Sequence, residues 1–153
     1  MEETGVEVLN FTNSEQAGLG KAKSNVNIQE ISSLVLAYVG DAVYELYTRE
    51  YLIEKGITNV HKLHLEAVRH VRASAQAKVF RALRDYLSED EATVARRGRN
   101  AKPGHGTKAK GDSVVEYRQS TGFESLIGYL YLRREWDRLE EITKLTWKII
   151  EDD

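Results

Sequence analysis

The sequence predicts an all-α protein, on three observations. Its apolar segments are long and lack the strict apolar–polar alternation of a half-buried strand. A single proline stands among 153 residues, so few positions forbid a helix. Helix punctuation recurs between the apolar segments, as a glycine stop and a Ser-x-x-Glu start.

Residues 1–27 begin acidic and are poor in large apolar side chains, which predicts a disordered tail. The tail has neither a basic n-region nor an apolar h-region, so it does not read as a secretory signal. A helical region over 28–55 follows, stopped by Gly56 as the residue after the C-cap. A second covers 60–87, entered through Thr58 and Asn59, with a bend expected near 66–70. Ser88 and Glu91 form a capping-box signature that starts a short helix reaching Arg97. Residues 98–111 hold four glycines and the proline, and predict a mobile loop. Helices over 114–133 and 135–151 complete the chain. With no internal repeat, residues 28–153 are expected to form one compact helical bundle, long enough to bury a core.

The chain has no cysteine. That excludes disulfides and thiolate metal sites and makes the cytoplasm, or another reducing space, the expected location. No stretch of about 18 uncharged apolar residues occurs, so no membrane partner is expected. The formal net charge is −2, yet residues 96–110 carry six cations, Arg96, Arg97, Arg99, Lys102, Lys108 and Lys110, and no acid. The remaining residues therefore sum to −8. A polyanion partner is thus indicated by one segment rather than by bulk charge; the alternative is a solvated surface loop.

Three acids stand in apolar surroundings. LVLAYVGDAVYELY, residues 34–47, is apolar nearly right round a helix and so reads as central and buried. Asp41 and Glu45, four residues apart, point the same way inside it. In STGFESLIGYLYL, residues 120–132, Glu124 is the one charge between Arg118 and Arg133. It shares a small or polar face with Ser120, Thr121 and Gly128. A buried carboxylate requires a cation, strong hydrogen-bond donors or a proton. Two readings stay open on these residues. One is a structural pair with Arg49, Arg118 or another arginine. The other is a divalent metal held by carboxylate oxygens, with Gly40, Ala42, Gly122 and Gly128 letting two helices approach. Mg²⁺ suits the second, since it keeps most of its waters and takes one or two protein carboxylates. His61, His64 and His70 lack the spacing of a metallohydrolase and are read as structural or surface residues. Trp136 and Trp147 are read as packing, and Arg69, Arg72, Lys78, Arg81 and Arg84 as the solvated stripe of their helix.

V-G-D-A-V-Y-E-L at 39–46 resembles the end of the ribonuclease III signature, and F-E-S-L-I-G-Y-L-Y-L at 123–132 resembles that family's second acidic motif. Their order and separation also fit. R-G-R-N-A-K at 97–102 and Y-R-x-S-T-x-F-E at 117–124 are similar to the short Mini-III branch, which lacks a double-stranded-RNA-binding domain. The resemblance covers about residues 30–150.

It implies a ribonuclease III-type endonuclease domain that forms a homodimer and cleaves double-stranded RNA with Mg²⁺, for which Mn²⁺ can substitute. Asp41 and Glu124 match the family's catalytic, metal-binding acids, while Glu45 and Thr121 are expected only in support behind them. A family glutamate falls at Ala37, a family aspartate at Thr121, and Leu34 replaces the signature's first acid. The metal site therefore has fewer direct ligands than in full-length relatives. The implied substrate is precursor 23S (large-subunit) ribosomal RNA, cut to leave 5′-phosphate and 3′-hydroxyl ends. Arg96, Arg97, Arg99, Asn100, Lys102, Lys108 and Lys110 are the expected RNA-binding residues, following duplex phosphates with strong salt dependence. The location is the cytoplasm, or the plastid stroma in a plant or alga. The rival is a non-catalytic helical RNA-binding or ribosome-associated module that kept the fold; the presence of both Asp41 and Glu124 favours the enzyme.

Overall fold

The computed structural model describes residues 27–102 and 112–152. All of the expected disordered tail except Asn27, and residues 103–111 of the expected mobile loop, lie outside the described residues. Among the described residues the chain is all-α: a 3-10 turn, Ile28–Glu30, and six helices, with no strand. The helices are α1 (Ser33–Glu54), α2 (Val60–Val71), α3 (Ala73–Leu83), α4 (Glu89–Asn100), α5 (Asp112–Leu132) and α6 (Trp136–Glu151). None is long and apolar enough to cross a membrane.

Local chemistry explains several helix ends. Ser32 caps α1 by accepting from the Val35 N–H at 3.3 Å. At the other end Gly56 takes φ 98°, its N–H donates to Ile53 (2.9 Å) and the Ile57 N–H donates to Leu52 (3.3 Å). This is a complete Schellman closure, available to glycine because a left-handed residue is required there. Asn59 caps α2 through the Lys62 N–H, at 3.0 Å. The bend expected near 66–70 falls instead at Arg72, whose backbone is extended. The Gln76 side chain donates to the freed Val71 carbonyl at 2.8 Å, which allows the break to sit there.

Ser88 and Glu91 make both bonds of the capping box that starts α4. This helix runs to Asn100, beyond the expected end at Arg97, and takes in Gly98. Gly98 is buried, and a Cβ there would overlap the Ser125 side chain of α5. Glycine serves here for close helix packing rather than as a stop, so the expected loop begins later than residue 98.

Helix α5 is the hub, in contact with α1, α3, α4 and α6. Buried Tyr44 of α1 meets Phe123 of α5 edge-on at 4.9 Å, a favourable geometry for aromatic quadrupoles. Its hydroxyl donates to the His70 carbonyl at 3.0 Å and ties α1 to the end of α2. Trp147 of α6 stacks on Tyr51 at 4.1 Å and donates to Thr48 at 3.3 Å. Trp136 lies edge-on to Tyr131, so both tryptophans pack as expected.

Helix α1 is not buried all round, contrary to expectation. Leu36, Val43, Tyr44, Thr48 and Leu52 face the core, while Leu34, Val35, Tyr38, Leu46 and Ile53 are exposed, Tyr38 by 82%. The described residues supply cover for one face only.

Arg138 of α6 forks onto Glu91 of α4, at 2.9 Å (Nε to Oε2) and 2.8 Å (Nη2 to Oε1), and also donates to the Tyr86 carbonyl at 3.1 Å. Burial pushes the Glu91 carboxyl up, but Arg138 and the Ser88 N–H outweigh it and hold the group below its usual range. Arg138→Ala leaves that buried acid unpaired and is expected to cost about 3 kcal/mol in urea denaturation at neutral pH. A depressed carboxyl contributes stability above its unfolded-state pKa and loses it as pH falls, so the deficit should shrink in acid.

Candidate active site

Asp41 and Glu124 are brought together by backbone contact between α1 and α5. A Cβ on Gly40 would overlap the Glu124 carbonyl, and a Cβ on Gly128 would overlap the Leu36 carbonyl. Each helix thus presents a glycine to the other's backbone, one turn apart, and the Ser125 hydroxyl adds a bond to the Ser33 carbonyl at 3.0 Å. Two of the four small residues expected to permit this approach do so. Ala42 is exposed, and Gly122 fits instead against the Ala95 carbonyl and the Phe80 ring.

The two carboxyls meet at that crossing. Asp41 is exposed rather than buried, since it lies at the edge of the uncovered face of α1, whereas Glu124 is mostly buried. Burial first, then the charge of Asp41, pushes the Glu124 carboxyl up to about 8, with a smaller push from Glu45. Two carboxyls this close favour a proton on Glu124, or a cation between them. A divalent cation can replace that proton, so this donor set fits hard, oxygen-seeking Mg²⁺ or Mn²⁺. Among the described residues there is no group of three or more His, Cys, Asp or Glu able to hold a metal. Most of the ion's coordination would then come from water or substrate.

The other expected site residues divide. Glu45 pairs with Arg49 at 3.4 Å, the structural partner offered for it, while its charge still reaches Glu124. Thr121 is buried with its hydroxyl donating to the Tyr117 carbonyl of its own helix at 3.0 Å. Ala37, where the family pattern has a glutamate, is buried and apolar. His61 and His64 are exposed, and His70 is enclosed against Glu151 at 2.9 Å, so these three are surface and structural.

Arg96, Arg97, Asn100 and Lys102 are exposed, and Arg99 is half-buried with its Nε donating to Asn100 at 3.1 Å. Lys108 and Lys110 lie outside the described residues. Because Gly98 seats on Ser125 and Gly122, the basic end of α4 lies against the same stretch of α5 that carries Glu124.

One residue beside the acids escaped the sequence reading. Gln76 of α3 is 1% exposed, and its side chain lies near enough to the Glu124 carboxyl to oppose the upward push. The available signal was a lone amide among the small and apolar residues of ASAQAKVF.

The family model described as Ribonuclease III domain matches residues 34–135, two thirds of the chain and both acids included, so the chain carries a ribonuclease III domain. The Mini-ribonuclease 3 of Clostridium tetani is 46% identical over 135 residues, covering 88% of each chain. That of Symbiobacterium thermophilum is 49% identical over 118 residues, covering 77% of this chain and 89% of the relative. The crystal structure of protein FN1578 from Fusobacterium nucleatum superposes with a TM-score of 0.67 at 29% identity, covering 79% of this chain and 95% of that one. The chain belongs to the Mini-ribonuclease 3 family. It is an endoribonuclease of the ribonuclease III type.

Proposed function

We propose that this chain cleaves double-stranded RNA by metal-assisted phosphodiester hydrolysis, with Asp41 and Glu124 as the catalytic acids. The observation that most supports this is the carboxyl pair itself. Two acids from separate helices are held together, and one stays mostly buried at an energetic cost. Such a cost persists at sites with work to do. Asp41 and Glu124 would hold Mg²⁺, or Mn²⁺ in its place. When bound, the ion supplies positive charge at the phosphate and acidity to a water. The chain's own part is to orient. The exposed Asp41 faces the incoming RNA, and Glu124, fixed against α1, must release its proton before it can serve as a ligand.

The basic end of α4, with Arg96, Arg97, Arg99, Asn100 and Lys102, and with Lys108 and Lys110 beyond it, would follow duplex phosphates. Residues 28–153 form the catalytic domain in this reading, with 1–27 as a tail. The uncovered apolar residues Tyr38, Leu46 and Ile53 of α1 fit a second copy of the chain, and a twofold homodimer offers one site to each strand. The substrate is precursor 23S ribosomal RNA in the cytoplasm, and the products carry 5′-phosphate and 3′-hydroxyl ends.

The test is Mg²⁺-dependent cleavage of a duplex RNA by wild type and Asp41→Asn. The substitution should lower the cleavage rate by about 10³-fold or more while RNA binding persists, since a metal supplies several kcal/mol at such a centre. A wild-type protein that binds duplex RNA at saturating Mg²⁺ and never cuts it would sink the proposal.

A further inference from the structure

We propose that Gln76 is a positioning residue of the metal site, anchoring Glu124 with its amide N–H and offering its amide oxygen to the hydration shell of the bound cation. This rests on the reading of Asp41 and Glu124 as the metal ligands. The Val71 carbonyl, which can only accept, fixes the amide orientation, because Nε2 donates to it at 2.8 Å. The second N–H is left for the Glu124 carboxyl, which the nearby Gln76 side chain favours in its charged form. The oxygen on the same amide carbon, Oε1, is the one buried side-chain polar atom without a hydrogen-bond partner among the described residues. A buried acceptor left bare is costly and rare, and calls for a partner such as an ordered water.

The chemistry of the neighbourhood says why an amide stands there. Asp41 and Glu124 already bring two negative charges, and Glu45 adds its field from nearby. The Thr121 hydroxyl is turned to Tyr117, Ala37 has no polar side-chain atom, and Glu45 is engaged with Arg49. An ion held by two carboxylates keeps several waters, and each needs an acceptor for its hydrogens. A neutral amide oxygen accepts such a hydrogen without adding a third charge to the pair. The same side chain caps the break between α2 and α3, so the site is braced by the helix boundary itself.

The test is Mn²⁺ binding to the full-length, RNA-free protein by isothermal titration, alongside melting curves with and without Mn²⁺. Gln76→Leu keeps the bulk and removes both polar groups. It should weaken Mn²⁺ binding about 10- to 100-fold and shrink the metal-induced rise in Tm, with KM for duplex RNA unchanged at saturating metal. Gln76→Leu with wild-type Mn²⁺ affinity, beside an Asp41→Asn protein that has lost it, overturns the role of Gln76 and leaves the site intact. Asp41→Asn with undiminished Mn²⁺ binding overturns the site itself, and this inference with it. Should Gln76→Leu fail to fold, Gln76→Met decides, since it keeps the length of the side chain and has no amide. It should weaken Mn²⁺ binding as Gln76→Leu would, and wild-type affinity overturns the proposal.

Discussion

Glu124→Gln should stabilise the metal-free protein at pH 8 while abolishing cleavage. The wild-type carboxyl titrates near 8 in the fold because it is buried and faces Asp41, against about 4.3 in an unfolded chain. Between those values the folded state holds a proton that the unfolded state has already released. Stability therefore falls as pH rises from about 4.5 to 8, and the full penalty stands above that window. A shift of this size corresponds to roughly 3–5 kcal/mol, an upper bound for a pair that is partly open to water. Glutamine carries no charge at any pH in this range, so the variant should show a flat profile. The two proteins should melt together near pH 5, with the variant several degrees higher at pH 8. Mg²⁺ should raise the wild-type melting point at pH 8 and leave the variant's unchanged. Melting curves across pH, with and without Mg²⁺, check this. A wild-type profile that is flat from pH 5 to 8 would show that the carboxyl carries no such strain.

Gly40→Ala should be among the most damaging single-methyl changes in this chain. A solvent-facing helical glycine changed to alanine ordinarily gains up to about 1 kcal/mol, through propensity. Here the new Cβ would overlap the backbone carbonyl of Glu124. A carbonyl inside a helix cannot swing aside as a side chain can, so α1 and α5 must separate. The expected loss is about 3 kcal/mol or more in urea denaturation, opposite in sign to the propensity effect. Gly128→Ala, against the Leu36 carbonyl, should behave alike. Cleavage should fall even where the protein stays folded, because the same separation pulls Asp41 from Glu124, and added Mg²⁺ should not restore it. A Gly40→Ala protein as stable as wild type would refute the close approach on which the site depends.

The sequence was most legible where the physics is local. Ser88 and Glu91 answer each other across one turn, and Gly56 ends α1 through bonds to residues three and five back. Both needed no knowledge of the rest of the fold. Asp41 and Glu124 were legible as candidates because each sits in a short motif, although the charges they face come from elsewhere in the chain. Less legible were features whose cause lies across the fold. Gly98 reads as a breaker, yet its role is set by Ser125 on another helix. The helix break near residue 70 moved to Arg72, where the Gln76 amide could cap Val71. Gln76 carried no reading from the sequence, because its place beside Glu124 is set by the packing of α3 on α5.

Helix α1 illustrates the same division. An apolar pattern all round a helix says that water is to be excluded from every face, but not what excludes it. Within one chain α5 and its neighbours cover the face bearing Tyr44 and Leu52, while Tyr38, Leu46 and Ile53 stay exposed. By itself the sequence determined the all-α class, the signals at Gly56, Asn59 and Ser88, and the two acidic motifs, since helical periodicity and capping act within a turn or two. Only the tertiary structure decided which face of α1 is covered, that Glu124 carries the burden of burial rather than Asp41, and that Gln76 stands behind it. Those outcomes depend on how closely two backbones approach, and that distance is set by glycines far apart in the chain meeting each other's carbonyls.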